Sequence, residues 1–418
     1  MWSIDVLAEE AEADRRLNIV KVTPGWGFLE QVMPVISELA NQGCQTEIWV
    51  PEPWITHLVG ARDPTGKELE KVGATFVAPN GLRGLSRSKS FSRFVLRNRI
   101  TSVLLKVAGL LGLRDRLYPS ESKYIHAAHP QTQIFADCYF YHTKAELSLG
   151  QRLLRDSDLD ARHVSFYHGN FDPLSYPVPD NLPKQIDIHC YYEEQQKRLQ
   201  RAADSDHRRV LLSTPPRLAR QLEQEVGFSA NSRTVWFFSR STGLPSGVNP
   251  ATKVLTLTWI SRLAKDHDLD VRVQLHPAEL KRDFLRHARL ANLNSFSFGK
   301  LDFHDGRTAA KAMGLPLLAV SNFVGLIPNL VLAGIPCVEI WPVEFEDYGA
   351  QKGAHRFDFS SRGMSRPVTT FDELEQIVGE LLRGQKTLHG EQIKAVTQTY
   401  GASGLSFREI ISLVSVPN

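Results

Sequence analysis

Two histidines in this chain directly follow strand-like segments. Residues 271–275 alternate apolar and polar side chains, which indicates a buried strand, and His276 comes next. Residues 162–167 also have a strand pattern and are followed by His168. Because ligands of open α/β sheets bind beyond the carboxyl ends of the strands, both histidines are candidates for a functional site. Either could also be an ordinary turn or capping histidine.

Polar, glycine-containing loops follow two further predicted strands, 234–239 and 315–320. Hydroxyls, backbone N–H groups and one guanidinium in front of a helix can hold a phosphate. These loops make Arg240, Ser241, Ser321, Asn322 and Gly325 candidate nucleotide-binding residues, together with His276 at the neighbouring strand end. We also expect a helix over 278–290, whose free N–H groups would lie behind His276. The alternatives are a plain surface loop at Arg240 and a helix cap at Ser321 or Asn322.

The chain opens with a strand at 17–22, a helix at 28–41 and a strand at 46–50, which together form one βαβ unit. The turn between the first two lacks GxGxxG, so it does not indicate a dinucleotide site. Gly25 and Gly27 could let a ligand approach the backbone, or could simply make a tight turn. Glu30 either faces the same crevice or complements the helix dipole.

The composition is that of a soluble globular protein long enough for two domains, with 418 residues, 42% hydrophobic and 23% charged. Its four cysteines are far apart, which fits a reducing compartment and argues against zinc or disulfide frameworks. Residues 1–16 lack the apolar core of a secretory signal, and the apolar run at 103–113 is too short to span a bilayer. We therefore expect a cytoplasmic protein.

Residues 82–116 carry nine Lys and Arg side chains against one acid, Asp115, with apolar residues among them. Such a basic amphipathic segment suits an anionic membrane surface or guidance of a polyanionic substrate. RNA binding would need a module that the sequence does not show. A solvated basic helix face is the remaining interpretation.

Taken together, the motifs resemble GT-B glycosyltransferases, and within them the bacterial capsule and wall-polymer transferases, including CDP-glycerol glycerophosphotransferases and CMP-sugar-using capsule enzymes. The resemblance rests on Phe166-Tyr167-His168-Gly169, on residues 235–240, on Leu275-His276-Pro277 with Glu279, on Ser321-Asn322 before Gly334-Ile335-Pro336, and on the tail at 356–374. This chain has Asn322 where those enzymes have an acidic residue, and Val324-Gly325 where they have paired serines.

The resemblance implies an α/β GT-B fold in which two Rossmann-like domains face each other across a cleft. We expect an acidic extension at 1–16, an acceptor domain at 17–205, an interdomain region at 206–232, a nucleotide-donor domain at 233–404 and a closing helix at 405–418. The implied activity is inverting, metal-independent transfer of a sugar or glycerophosphate-type unit from an activated nucleotide. A CMP- or CDP-linked donor is favoured and a UDP-linked one is possible. The implied acceptor is a surface polysaccharide, capsule or lipid-linked glycan.

In this interpretation His276 stabilises the leaving phosphate, Arg240 and Ser241 hold the phosphates, and Glu279 takes ribose hydroxyls. Ser321 and Asn322 contact phosphate or sugar. The general base is His168, Asp137, His142 or Glu30, and His168 is preferred because it follows a strand within the resembling motif. Gly25, Gly27, His142 and Gly169 lie on the acceptor side. We expect neither a metal nor a further cofactor. The alternatives are a nucleotide-sugar epimerase or hydrolase on this scaffold, and a non-catalytic membrane- or RNA-associated basic protein.

Overall fold

A computed structural model describes fifteen segments of the chain: 19–23, 28–49, 64–77, 133–137, 162–166, 188–191, 209–212, 214–223, 232–242, 248–276, 279–299, 315–322, 324–342, 359–401 and 405–415. The basic segment 82–116 therefore lies outside the described residues. So do Gly25, Gly27, His142, His168, Gly169 and Pro277. Within the described residues, no helix is long and apolar enough to cross a membrane.

The first half forms a parallel sheet whose described strands lie in the order β3-β2-β1-β4-β5-β6-β7. The strands are β1 (Ile19–Thr23), β2 (Gln45–Trp49), β3 (Thr75–Val77), β4 (Gln133–Asp137), β5 (Arg162–Phe166), β6 (Ile188–Tyr191) and β7 (Arg209–Leu212). The edge strand β7 falls within 206–232, where we expected the interdomain region. The first sheet therefore continues past residue 205.

Helix α1 (Phe28–Asn41) covers the range expected from the sequence, and α2 (Pro64–Lys71) follows β2. The apolar positions of α1 recur every three or four residues, so they lie on one face and are buried against the first sheet: Leu29, Val32, Met33, Val35, Ile36 and Leu39. The helix ends at Gly43, whose φ of +87° is left-handed and whose N–H donates to the Ala40 carbonyl at 2.9 Å.

The second half forms another parallel sheet, with its described strands in the order β10-β9-β8-β11-β12-β13. The strands are β8 (Thr234–Phe238), β9 (Asp270–Gln274), β10 (Ser297–Phe298), β11 (Leu318–Ser321), β12 (Cys337–Ile340) and β13 (Arg366–Val368). The helices are α4 (Pro250–His267), α5 (Lys281–Leu290), α6 (Ile327–Leu332), α7 (Phe371–Leu382), α8 (Thr387–Val396) and α9 (Phe407–Val414). Two apolar cores cover the two faces of this sheet.

Helix α3 (Pro216–Leu222) contacts both halves of the chain. Its Leu218 packs in the core around α6, while its Ala219 packs in the core around α1. On the α6 side, Asn329 Nδ2 donates to Gln221 Oε1 at 2.5 Å. Helix α9 also packs in the α1 core, through Phe407, Ile410 and Val414. The end of the chain therefore contributes to the core of the first half.

Candidate functional site

The candidate site lies at the carboxyl edge of the second sheet, where β9, β8 and β11 end side by side. Phe238 of β8 pairs with Gln274 of β9 and with Ser321 of β11. The ladder continues beyond the strands, because Ser239 N–H donates to Gln274 O at 2.9 Å and His276 N–H donates to Ser239 O at 3.1 Å. These bonds hold the Arg240 loop against the His276 turn.

Three hydroxyls at this edge belong to side chains that are at most 8% exposed: Ser239, Ser241 and Ser321. Their Oγ atoms have no hydrogen-bond partner within the described residues. A buried polar group without a partner costs about 1–3 kcal/mol, so native proteins rarely leave one unpaired. Three of them on adjacent strand ends form a set of donors and acceptors suited to the oxygens of a phosphate or a sugar.

A buried ion pair at the same edge of the sheet joins Lys253 of α4 and Glu279. Lys253 is 1% exposed, and its Nζ donates to Glu279 Oε1 and, at 2.7 Å, to the carbonyl of Arg240. Burial lowers the pKa of the Lys253 ammonium, and the Glu279 carboxylate opposes that shift. Lys253 therefore links the Arg240 loop to the turn that follows His276.

Lys253 was absent from the residues expected at the site. Asn249 caps α4, since its Oδ1 accepts from Ala251 N–H at 2.9 Å, and Lys253 follows one turn later. Lys253, Thr256 and Ile260 occupy one buried face of this helix. A lysine among the buried residues of this helix face is the sequence feature that could have indicated its role. No local pattern in the sequence predicts Glu279 as its partner.

Glu279, expected to take ribose hydroxyls, has one carboxylate oxygen in the ion pair. Its other oxygen, Oε2, is buried with no partner among the residues that the structure describes. Glu279 N–H also donates to His276 O at 2.8 Å, which closes a turn. Because of this turn, α5 begins at Lys281 and not at residue 278, so the expected helix start directly behind His276 is wrong.

The side-chain amide of Asn322 forms hydrogen bonds within the fold. Its Nδ2 donates to Thr256 Oγ1 at 2.9 Å and to Ile340 O at 2.7 Å, which ties the end of β11 to α4 and β12. Neither Ser321 nor Asn322 caps α6, which has Leu326 at its N-cap without a side-chain bond, and Gly325 lies just before that residue. Asn322 and Ser321 were both expected to contact phosphate or sugar. The Asn322 amide is bonded within the fold, whereas the Ser321 hydroxyl has no partner among the described residues.

Two of the first-half candidates lie in described elements. Glu30 lies in the first turn of α1, and its Oε2 is 3.6 Å from Nη1 of the buried Arg217 in α3. Asp137 ends β4, and its backbone pairs with Phe166 at the end of β5. Asp137 and Phe166 therefore lie side by side at the carboxyl edge of the first sheet. Which of these groups acts as a base stays a prediction.

No protein-family model and no curated protein sequence matches the chain. Solved structures match over nearly the whole length. A variant of the wall teichoic acid polymerase TagF has a TM-score of 0.51 at 10% identity and covers 96% of this chain and 88% of its own. UDP-GlcNAc 2-epimerase from Neisseria meningitidis, bound to UDP-GlcNAc, has a TM-score of 0.51 at 11% identity, with 95% and 98% covered. These matches confirm the predicted GT-B fold.

Proposed function

We propose that this protein is a GT-B glycosyltransferase that binds a nucleotide-activated donor at the carboxyl edge of its second sheet. The observation that carries the proposal is a set of three buried hydroxyls, Ser239, Ser241 and Ser321, at adjacent strand ends, which have no hydrogen-bond partner among the residues that the structure describes. The UDP-GlcNAc in the Neisseria meningitidis structure supports it, because a nucleotide-linked sugar binds to a protein of this fold. The wall teichoic acid polymerase match supports polymer synthesis as the use of the donor.

In the proposed reaction, an acceptor hydroxyl forms the new bond to the transferred unit while the bond from that unit to the donor phosphate breaks. The departing phosphate keeps the electron pair. The three serine hydroxyls and the Arg240 guanidinium hold its oxygens, and His276 donates a hydrogen bond to it or carries a positive charge. Glu279 Oε2 accepts from a ribose hydroxyl. A first-half base, His168 in our preference, takes the acceptor proton.

The favoured donor is CMP- or CDP-linked, and the proposed acceptor is a polysaccharide or lipid-linked glycan. We further propose that the protein works in the cytoplasm at the inner face of the membrane, with segment 82–116 on the anionic lipid surface. The support for that segment is its charge, nine bases against one acid.

The test is a thermal-shift titration with CMP, CDP, UDP, GDP and ADP. A hundredfold excess of a ligand over its Kd stabilises the folded state by about 2.7 kcal/mol, which raises Tm by several degrees. We expect a cytidine nucleotide to give this shift. Ser321→Ala should weaken its binding about tenfold, as for a hydrogen bond to a charged group. Ser261→Ala, which removes a hydroxyl that bonds Asn292 O at 2.9 Å on the far end of α4, is the matched control.

A nucleotide-sugar epimerase or hydrolase is the second candidate, favoured by the epimerase match over 98% of that chain. Incubation of the protein with a nucleotide sugar alone separates the two activities. Conversion or hydrolysis without an acceptor would support the second candidate. If no nucleotide shifts the melt, both enzymatic proposals fail and a non-catalytic binding protein takes their place.

A further inference from the structure

Helix α5 has one strongly basic face. Phe284 and Ala288 are buried against the sheet, so the opposite side of the helix faces solvent. Arg282, Arg286 and Arg289 lie on that side because they are four and three residues apart. With Leu285 and Leu290 they line a surface depression of about 410 Å³.

The large apolar side chains that are exposed within the described residues all lie at this helix. Leu280 is 52% exposed at its start, Leu290 is 62% exposed at its end, and Phe298 is 37% exposed on the adjoining edge strand β10. Phe298 packs on Phe284 with ring centroids 5.6 Å apart, and Lys281 Nζ lies 4.5 Å from its centroid. Single exposed leucines are ordinary, but their concentration beside arginines is not.

Positive charge predominates on this surface. Lys281, Arg282, Arg286 and Arg289 face one acid of the same helix, Asp283, which lies 3.6 Å from Arg282 Nε. Cations beside protruding apolar groups match an anionic bilayer, where the cations meet lipid phosphates and the apolar groups enter the acyl boundary. A soluble polyanion would use the cations and leave the leucines and the phenylalanine in water.

We infer that the α5 face binds the surface of an anionic lipid bilayer. The α5 face comprises Leu280, Lys281, Arg282, Leu285, Arg286, Arg289, Leu290 and Phe298. It is separate from segment 82–116 and belongs to the second half of the chain. Since α5 starts five residues after His276, a membrane-bound α5 face would hold the candidate site near the bilayer, within reach of a lipid-linked molecule.

The test is co-sedimentation of the full chain with phosphatidylcholine vesicles, with and without phosphatidylglycerol. We expect binding only to the anionic vesicles, and weaker binding as salt rises. Arg286→Gln/Arg289→Gln should lower the partition coefficient about twenty-fivefold, since each surface cation contributes about fivefold. The charge-matched control is Arg366→Gln/Arg383→Gln, which removes two exposed arginines elsewhere in the second half. Leu290→Ser should also weaken binding, at unchanged charge.

Wild-type binding by the Arg286/Arg289 variant, or an equal loss in the control, would overturn the inference. An unchanged affinity of Leu290→Ser together with displacement of vesicles by soluble polyphosphate would also overturn it, in favour of a polyanion site. Thermal melts check that every variant is folded. The cytidine-nucleotide shift is measured in the same variants, so failure of the membrane inference and failure of the proposed function are read separately.

Discussion

At the scale of single residues, the candidate site is organised by Lys253. Its ammonium is the shared partner of a loop carbonyl at Arg240 and a carboxylate at Glu279, although the three groups are distant in sequence. Withdrawing an ammonium from water is costly, so the pair persists only because both charges are present and bonded. These bonds hold the Arg240 loop and the turn after His276 in a common position.

Removal of both partners should therefore cost less than the sum of the two single removals. Lys253→Met should lower the free energy of unfolding by about 3–5 kcal/mol, because Glu279 is left buried and charged. In Lys253→Met/Glu279→Met we expect the loss to be smaller than the sum of the single losses by about 0.5–3 kcal/mol. Urea denaturation of the four proteins measures this coupling. Additive losses would mean that the two side chains do not act as a pair.

At the scale of elements, α8 is attached to its neighbours by buried polar contacts. His389 Nε2 is 3.0 Å from Val331 O of α6, and Gln392 bonds both the N–H and the carbonyl of Cys337 in β12. Burial lowers the pKa of His389, although its bond to the Val331 carbonyl opposes the shift. The neutral imidazole, with Nε2–H as donor, is therefore the form that fits between α8 and α6.

This contact predicts a loss of stability in mild acid. The unfolded chain takes up the proton at a pKa near 6.5, whereas the folded chain does so only at lower pH. The contribution of His389 is thus complete above pH 6.5 and is lost as the pH falls below it, by at most about 1.4 kcal/mol per pH unit. As the pH is lowered below 6.5, the urea concentration at the midpoint of unfolding should fall less steeply in His389→Gln than in wild type. An unchanged slope in His389→Gln would contradict the assignment.

At the scale of the whole molecule, α3 and α9 join the two halves. Arg217 of α3 contacts Glu30 of α1, and Thr214 Oγ1 donates to Tyr400 O at 2.7 Å from near the other end of the chain. Ile410 of α9 is fully buried in the α1 core. Residues separated by almost the whole sequence thus share one apolar core, which predicts that they unfold together.

Truncation of Ile410 should test this coupling. Ile410→Ala should cost about 2–5 kcal/mol in the free energy of unfolding, as for a buried isoleucine. Amide hydrogen exchange in α1 should rise as well, although α1 is far away in sequence. Ile411→Ala, at the neighbouring position that is only partly buried against the same core, is the matched control and should cost less. A loss of stability with unchanged protection of α1 would show that α9 is not part of that core.

Local patterns in the sequence determined most of the elements. The apolar stripe of α1 predicted the bounds of that helix because burial of one face imposes a short period on the chain. The resemblance of the motifs to GT-B transferases implied the GT-B fold, which the solved structures confirm. The strand ends beside Ser239, His276 and Ser321 were also correctly expected, since parallel strands bring their carboxyl ends to one edge.

Only the tertiary structure decided which groups meet. No local pattern pairs Lys253 with Glu279, assigns the Asn322 amide to Thr256 and Ile340, or brings α9 to the core of α1. Helix α5 begins at Lys281, later than expected, because one hydrogen bond closes a turn before it. Strand β7 belongs to the first sheet because it pairs with β6. The physical reason is the same in each case. A sequence period encodes which face of an element is buried, while the partner of that face depends on packing between residues far apart in the chain.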